Sequence, residues 1–331
     1  MKEDNKMAKI PYLIKITDEE NWLFPTKGYN KDGSISEDQR TIVLPEGMDR
    51  RYCFTDSVMR KTQLEDDGPV GLHEHQQGYE TFFVESSSMY FYINGKKTLV
   101  EAGKIIHMQP YEAHSFIFNG DVQFRGTFHD WNCADDSLAT STLESHYPDA
   151  KKDPEFFRLL CSNIDLHMRG LADFEEVPAE QVPSVKDPKN PMAKFEIEGA
   201  VMKMITARWE NGGKKEIWLA EMEPGFYAEW DGYPTTQDLF YVTEGKIKFR
   251  VYDTEFVAEK DCLVKIPKYA PRSFEVLEQA SMYDVGGITR WYALLQDFSA
   301  LKKFKPEEAT KEAFDEMRKR FGCQVKAYGK K

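Results

Sequence analysis

Histidine is scarce in this chain and stops early. There are seven, and none follows His167. A site built from several imidazoles therefore has to lie in the N-terminal half. Basic residues do not cluster, and the net charge is −12, which argues against nucleic acid or an anionic membrane as a partner. No apolar run reaches membrane-spanning length. Met1–Lys9 is charged and lacks the apolar core of a secretory signal, so a cytoplasmic protein is expected. Cysteine is sparse too. Cys53, Cys133, Cys161, Cys262 and Cys323 are odd in number, widely spaced and never arranged as C-x-x-C, which indicates reduced thiols rather than a disulfide framework. Aromatic side chains, by contrast, make up 13% of the chain. That richness fits a well-filled β core or a pocket for a planar substrate. With 331 residues the chain can form one large or two medium domains.

The densest stretch runs from Gly71 to His114. His73 and His75 are two apart, so on an extended strand both imidazoles aim at one point. Glu80 follows five residues later. The pair Asn94–Gly95 sits between alternating apolar runs and signals a hairpin turn, which folds the chain back and lets His114 reach the same place. Three imidazoles and a carboxylate form a mixed N/O set suited to Mn, Fe, Ni, Zn or Co rather than Ca or Mg.

Gly71, His73, His75 and Glu80, followed by a second segment from Gly103 to His114, resemble the two motifs of the cupin superfamily. The resemblance implies a double-stranded β-helix (jelly-roll) barrel with His73, His75, Glu80 and His114 as metal ligands, manganese being the leading cofactor. Two departures stand out. Gln109-Pro110-Tyr111 replaces the family's Pro-x-Gly turn, and Ser86–Ser88 replaces the glycine that usually follows the first motif.

Short strands with turn signals recur along the chain. Tyr79–Val84, Met89–Ile93, Lys97–Val100, Lys104–Met108, His114–Phe118 and Val122–His129 build the first set. Leu239 to Val276 repeats the cadence, so two barrels are expected in an all-β chain. In the second, the ligand positions fall near Asp231, Tyr233 and Asp238, with Arg272 in place of the last histidine; it is expected to be structural. The Pro11–Lys15 run is similar to the opening of quercetinase-type bicupins and is expected to lead into the first barrel, and Lys27–Gln39 reads as a loop. A short helix starts near Asp153-Pro154. The tail carries the apolar stripe Ala313, Phe314, Met317 and Phe321. The expected divisions are a metal-binding barrel over 1–134, a helical crossover connector over 135–194, a metal-free barrel over 195–287 and a helical tail over 288–331.

Four protein ligands leave about two positions on a six-coordinate metal, which suits a chelating β-dicarbonyl or ortho-hydroxy ketone. The metal would polarise the carbonyl, and water would then break the C–C bond, as in cupin cyclohydrolases of the dihydrophloroglucinol type. The alternatives are an oxygen-dependent ring cleavage of quercetinase type, a metal-dependent isomerase or decarboxylase, and a non-catalytic binding bicupin. A decarboxylase would want an arginine facing the metal, for which Arg125 is the strand candidate. Hydrolysis needs a proton carrier: Glu80 first, His107 second, with Tyr92, Tyr111, Glu112 and His129 as candidate substrate-binding wall residues. His146 and His167 receive no role. The expected partners are a small-molecule substrate and a second copy in a homodimer.

Overall fold

Apolar residues at every second position force extended backbone with one buried face, and the chain meets this demand twice. The computed structural model describes residues 10–21, 23–29, 35–43, 53–59, 70–129, 149, 153–163, 165–170, 173–213, 216–232, 237–287 and 290–331. It divides into two units: Trp22–Pro191, and Met1–Asn21 together with Met192–Lys331. Among the described residues, no helix is long and apolar enough to cross a membrane.

In the unit Trp22–Pro191, the long strand Tyr79–Ile93 is the axis. It pairs with His114–His129 from Tyr79↔His129 to Ile93↔His114, with Ile105–Met108 at its start and with Lys96–Glu101 at its end. The last pairing closes over Asn94 (φ 48°) and Gly95 (φ 77°), the left-handed pair that a tight hairpin turn needs. The inward face carries Phe82, Val84, Met89, Phe91, Ile93, Ile106, Met108, Phe118 and Phe124 as one apolar cluster.

The other unit repeats this frame. Asp238–Val251 pairs with Arg272–Gly287 from Phe240↔Asp284 to Val251↔Arg272 and with Cys262–Ile266 at its start. Its core includes Trp218, Trp230 and Trp291. The helix Trp291–Phe304 buries Trp291, Tyr292, Leu294, Leu295 and Phe298. The helix Lys311–Phe321 is capped by the Thr310 hydroxyl, which accepts from the Ala313 N–H, and stops at Gly322 in a left-handed conformation.

Strand pairing redraws several expected boundaries. Leu13–Lys15 pairs with Cys262–Ile266 and so belongs to the second barrel, not the first. The tail is not wholly helical, because Val325–Lys330 adds a strand beside Phe226–Trp230. Lys27–Gln39 is largely strand: Leu23–Tyr29 and Ile35–Val43 pair with each other, and backbone hydrogen bonds at a sheet edge do not require apolar side chains. The connector begins with the helix Pro154–Asn163, capped by Asp153. It then lays His167–Met168, Glu175–Glu176 and Val185–Lys186 onto strands of the first barrel.

Both long strands are broken by a bulge carrying one left-handed residue, Ser87 (φ 60°) in the first and Gly245 (φ 73°) in the second. The two positions differ in room. A Cβ at Gly245 would fall 2.0 Å from the Gln279 carbonyl oxygen, whereas Ser87 is exposed. Gly245→Ala is therefore expected to destabilise by more than about 2 kcal/mol, combining left-handed strain with overlap, while Ser87→Gly is expected to fall within about 1 kcal/mol of the parent. Urea unfolding of both variants checks the contrast.

Candidate metal centre

The strand Val70–Glu74 delivers His73 directly opposite His114, its register partner, and their ring centroids lie 4.5 Å apart. The chain leaves that strand at His75, crosses Gln76–Gly78 and enters the long strand with Glu80 as its second residue. Glu80 shares the inward face with Phe82 and Val84 by the two-residue period. His75, Glu80 and His114 are buried, and His73 is half-buried. Each of the four offers one donor atom, and these atoms lie within 4.8 Å of one another. A shared cation about 2.1 Å from each donor needs donor separations of roughly 3–4 Å. The Glu80 oxygens lie 3.3 Å from His75 Nε2 and 2.9 Å from His114 Nε2, so the set fits a divalent transition metal.

Two of the imidazoles are held in one tautomer. His75 Nδ1 donates to the Asp165 carbonyl at 2.7 Å, and His114 Nδ1 donates to the Glu112 carbonyl at 2.8 Å. In each ring this turns the Nε2 lone pair toward the centre. Burial alone would push the Glu80 carboxyl up. The neighbouring His75 charge and hydrogen bonds from His114 and His75 override it and hold the group far below the usual carboxylate range. Burial opposes protonation of His75, but the Glu80 charge and hydrogen bond, together with the Asp165 carbonyl, raise its pKa above the ordinary 6.5.

The other expected site residues are not brought to this point. His107 pairs in register with Thr81, so both project to the face opposite Glu80. Its Nδ1 lies 2.9 Å from the Thr81 hydroxyl, and its ring stacks with Tyr79. Tyr92, the partner of Ser115, also faces outward and packs against Phe174. Arg125 is likewise outward, with Nε 3.1 Å from the Asp56 carboxylate. Tyr111 takes the left-handed turn position (φ 67°) that a glycine would fill, and its ring is 65% exposed; only its backbone N–H reaches the site, donating to the His75 carbonyl at 2.6 Å. Glu112 ties down the turn before His114 by accepting the Gln109 N–H at 2.8 Å. Burial raises its pKa. His129 ends its strand opposite Tyr79, but its side chain, like all of His146, lies outside the described residues. Sequence reasoning missed Asp165, which contacts the His75 loop from ninety positions away; spacing gives no signal for such a contact. It also passed over Phe116, whose ring lies 6.0 Å from that of His114 and packs on Phe82 and Phe91. Phe116 thus puts an aromatic floor beside His114.

The second barrel fills the same place differently. Trp230 stands opposite Arg272 as His73 stands opposite His114. The corresponding positions are therefore Trp230 and Gly232, one residue earlier than Asp231 and Tyr233. Asp231 is turned out to Lys326, 2.8 Å away, and Tyr233 lies outside the described residues. A Cβ on Gly232 would fall 2.0 Å from the Tyr269 backbone. Asp238, placed as Glu80 is, forms a fully buried ion pair with Arg272, whose guanidinium lies over Trp230. A guanidinium thus occupies the corner where the first barrel gathers its donors.

Comparison with known proteins agrees with this frame. Residues 62–128 match the model of the cupin domain. No curated protein matches the chain. Among solved structures, the fold is similar to that of oxalate decarboxylase from Bacillus subtilis, studied for its Mn(II) centres: 14% identity, 92% of this chain and 85% of that one, TM-score 0.53. A point mutant of the same enzyme aligns over 98% of this chain and 90% of its own at 15% identity and TM-score 0.53.

Two outcomes follow. Metal uptake must displace the proton that Glu80 helps to hold on His75, so Mn(II) affinity, measured by titration calorimetry on chelator-treated protein, is expected to rise with pH through the raised His75 pKa, with proton release. The sign for stability is opposite. In the metal-free protein this raised histidine stabilises fully below 6.5 and loses that contribution as pH climbs through its folded value, while the depressed Glu80 stabilises above its ordinary 4.5. In the other barrel, Arg272→Ala leaves Asp238 buried without its cation and is expected to cost about 3–5 kcal/mol in urea unfolding.

Proposed function

We propose that this chain, a two-barrel protein of the cupin superfamily, is a metal-dependent enzyme that breaks a C–C bond beside a carbonyl in a small ring-bearing molecule. The cleavage we propose is hydrolytic, with water opening a cyclic β-diketone or phenol-derived ring. One observation carries this reading: a four-donor centre has an aromatic surface beside it. His73, His75, Glu80 and His114 converge, and Phe116 lies next to His114 and packs on Phe82 and Phe91.

A divalent cation on those four residues, manganese before iron, nickel, zinc or cobalt, supplies Lewis acidity toward a substrate carbonyl. The chain's own residues do the rest. The phenylalanine floor favours a planar, weakly polar body over a charged one. Half-buried His73 marks the side open to solvent, and buried His75 and His114 mark the closed side. Glu80 is the carboxylate on the inward face, and we assign it the transfer of a proton from the attacking water to the ring carbon released as the bond breaks. His107, facing away, has no part in this.

Decarboxylation is the second reading, favoured by the likeness in fold to oxalate decarboxylase. It is weaker for a small dianion. Among the described residues, Arg125 is turned outward to Asp56, and the Lys96 ammonium, at the hairpin end, donates to the Gln181 carbonyl. With only the metal as counter-charge, desolvating two negative charges beside an aromatic surface costs several kcal/mol per ion.

The test is turnover of cyclic β-diketones, a flavonol and oxalate by Mn- and Fe-loaded protein, with and without oxygen. The expected result is diketone opening at an unchanged rate under anaerobic conditions, abolished by His75→Ala. Oxygen uptake matching product would replace hydrolysis with oxygenation, and carbon dioxide release from oxalate would favour the second reading.

A further inference from the structure

The loop that separates two of the four donors is short: His75, Gln76, Gln77, Gly78, Tyr79, Glu80. Three consecutive backbone N–H groups in it point to one carboxylate. Asp165 Oδ1 accepts from Gln76 at 2.8 Å, and Oδ2 accepts from Gln77 at 2.9 Å and from Gly78 at 3.2 Å. The backbone carbonyl of the same residue accepts from His75 Nδ1 at 2.7 Å. One residue thus receives four donors from the loop and offers it both of its acceptor groups.

That double presentation depends on an unusual backbone. Asp165 has φ 60°, in the left-handed region that aspartate and asparagine enter more readily than most residues. The segment is held there by the strand that follows it. His167 pairs with Glu74 and Met168 with His73. The Arg169 N–H donates to the Leu72 carbonyl at 2.8 Å, and the Arg169 guanidinium closes on the Glu74 carboxylate. His167 Nε2 stands 3.3 Å from Asp165 Oδ1. Asp165 is therefore anchored to the strand that carries His73 while it grips the loop that carries His75 and leads to Glu80.

We propose that Asp165 is the positioning residue of the metal centre: its carbonyl fixes the tautomer of His75, and its carboxylate fixes the loop that sets the spacing from His75 to Glu80. The inference rests on the reading of these four residues as metal ligands. A hydrogen bond to a ligand imidazole from a backbone carbonyl keeps the other nitrogen unprotonated and aimed at the cation. A carboxylate accepting three amides in succession holds a turn rigidly, because each N–H would otherwise exchange partners with water. The arrangement makes the interdomain connector part of the site. Without residues 165–169 the first barrel would still hold its four donors, but His75 could rotate or change tautomer and the loop could open.

The test compares the parent protein with Asp165→Asn and Asp165→Ala, each stripped by chelator and titrated with Mn(II). Asparagine suits the left-handed backbone and keeps one acceptor oxygen, while its amide faces N–H groups it cannot accept from; alanine keeps only the carbonyl. The Mn(II) dissociation constant is expected to rise about ten- to a hundredfold in Asp165→Ala, with Asp165→Asn in between. The Mn(II) electron paramagnetic resonance spectrum should change in the same order, because the ligand geometry loosens. A merely structural role would lower the thermal midpoint of the metal-free protein and leave both the dissociation constant and the spectrum at parental values; that result in either variant overturns the proposal. If Asp165→Ala does not fold, Asp165→Asn decides alone. A parent protein that binds none of Mn, Fe, Ni, Zn or Co instead overturns the metal reading itself, which separates the two failures.

Discussion

A carboxylate withdrawn from water needs positive charge or donors close at hand, and Glu80 imposes that need at one end of the first barrel. The rest of the site follows from it. The group is almost completely buried and flanked by ring nitrogens of His75 and His114, which are themselves oriented by carbonyls behind them. Each of these atoms is costly to bury alone. Together they form a donor set suited to a divalent cation.

The second barrel makes the same demand and meets it with a cation carried by its own chain. Asp238 occupies the place of Glu80 and is as deeply buried, and the cation beside it is the Arg272 side chain. Once a guanidinium is tethered there, imidazoles serve no purpose. Trp230 and Gly232 stand in their positions, and the Tyr269 backbone closes on Gly232. The two turns preceding these residues are alike: Tyr111 and Tyr269 both sit at φ 67° with exposed rings, each three residues before the decisive side chain. One frame thus holds a buried acid in two ways, one leaving a place for an exchangeable ion and one not.

Much of this was legible in the sequence, and the physical reason is local. His73 and His75 on one strand face, the Asn94–Gly95 turn and the return to His114 are all encoded within a few tens of residues, so period-two spacing and turn chemistry suffice. The repeat was legible for the same reason. What failed was non-local or a matter of parity. Leu13–Lys15 reads as a strand, but nothing in it says that it pairs with Cys262–Ile266. His107 lies on a strand of the right barrel, but a single-residue shift in register decides which face it takes, and the pairing with Thr81 turns it away. In the second barrel, a count back from Asp238 missed by one because the loop there is one residue longer. Asp165 was invisible because its partners lie ninety residues upstream.

The floor of the site constrains its chemistry as strongly as the donors do. Phe116 packs beside His114 and against Phe82 and Phe91, and a low-dielectric surrounding strengthens the charge interactions next to it. A substrate that brings its own dispersed charge, such as an enolate delocalised over two oxygens, meets that setting with little desolvation cost, and its apolar ring can rest on the phenylalanines. A compact dianion would lose more hydration there, and among the described residues neither Arg125 nor Lys96 is turned toward the donors. The aromatic richness that first allowed two explanations, core or planar-substrate pocket, is accounted for in part by the first barrel's core, where Phe82 and Phe91 are buried and Phe116 carries the packing on to His114.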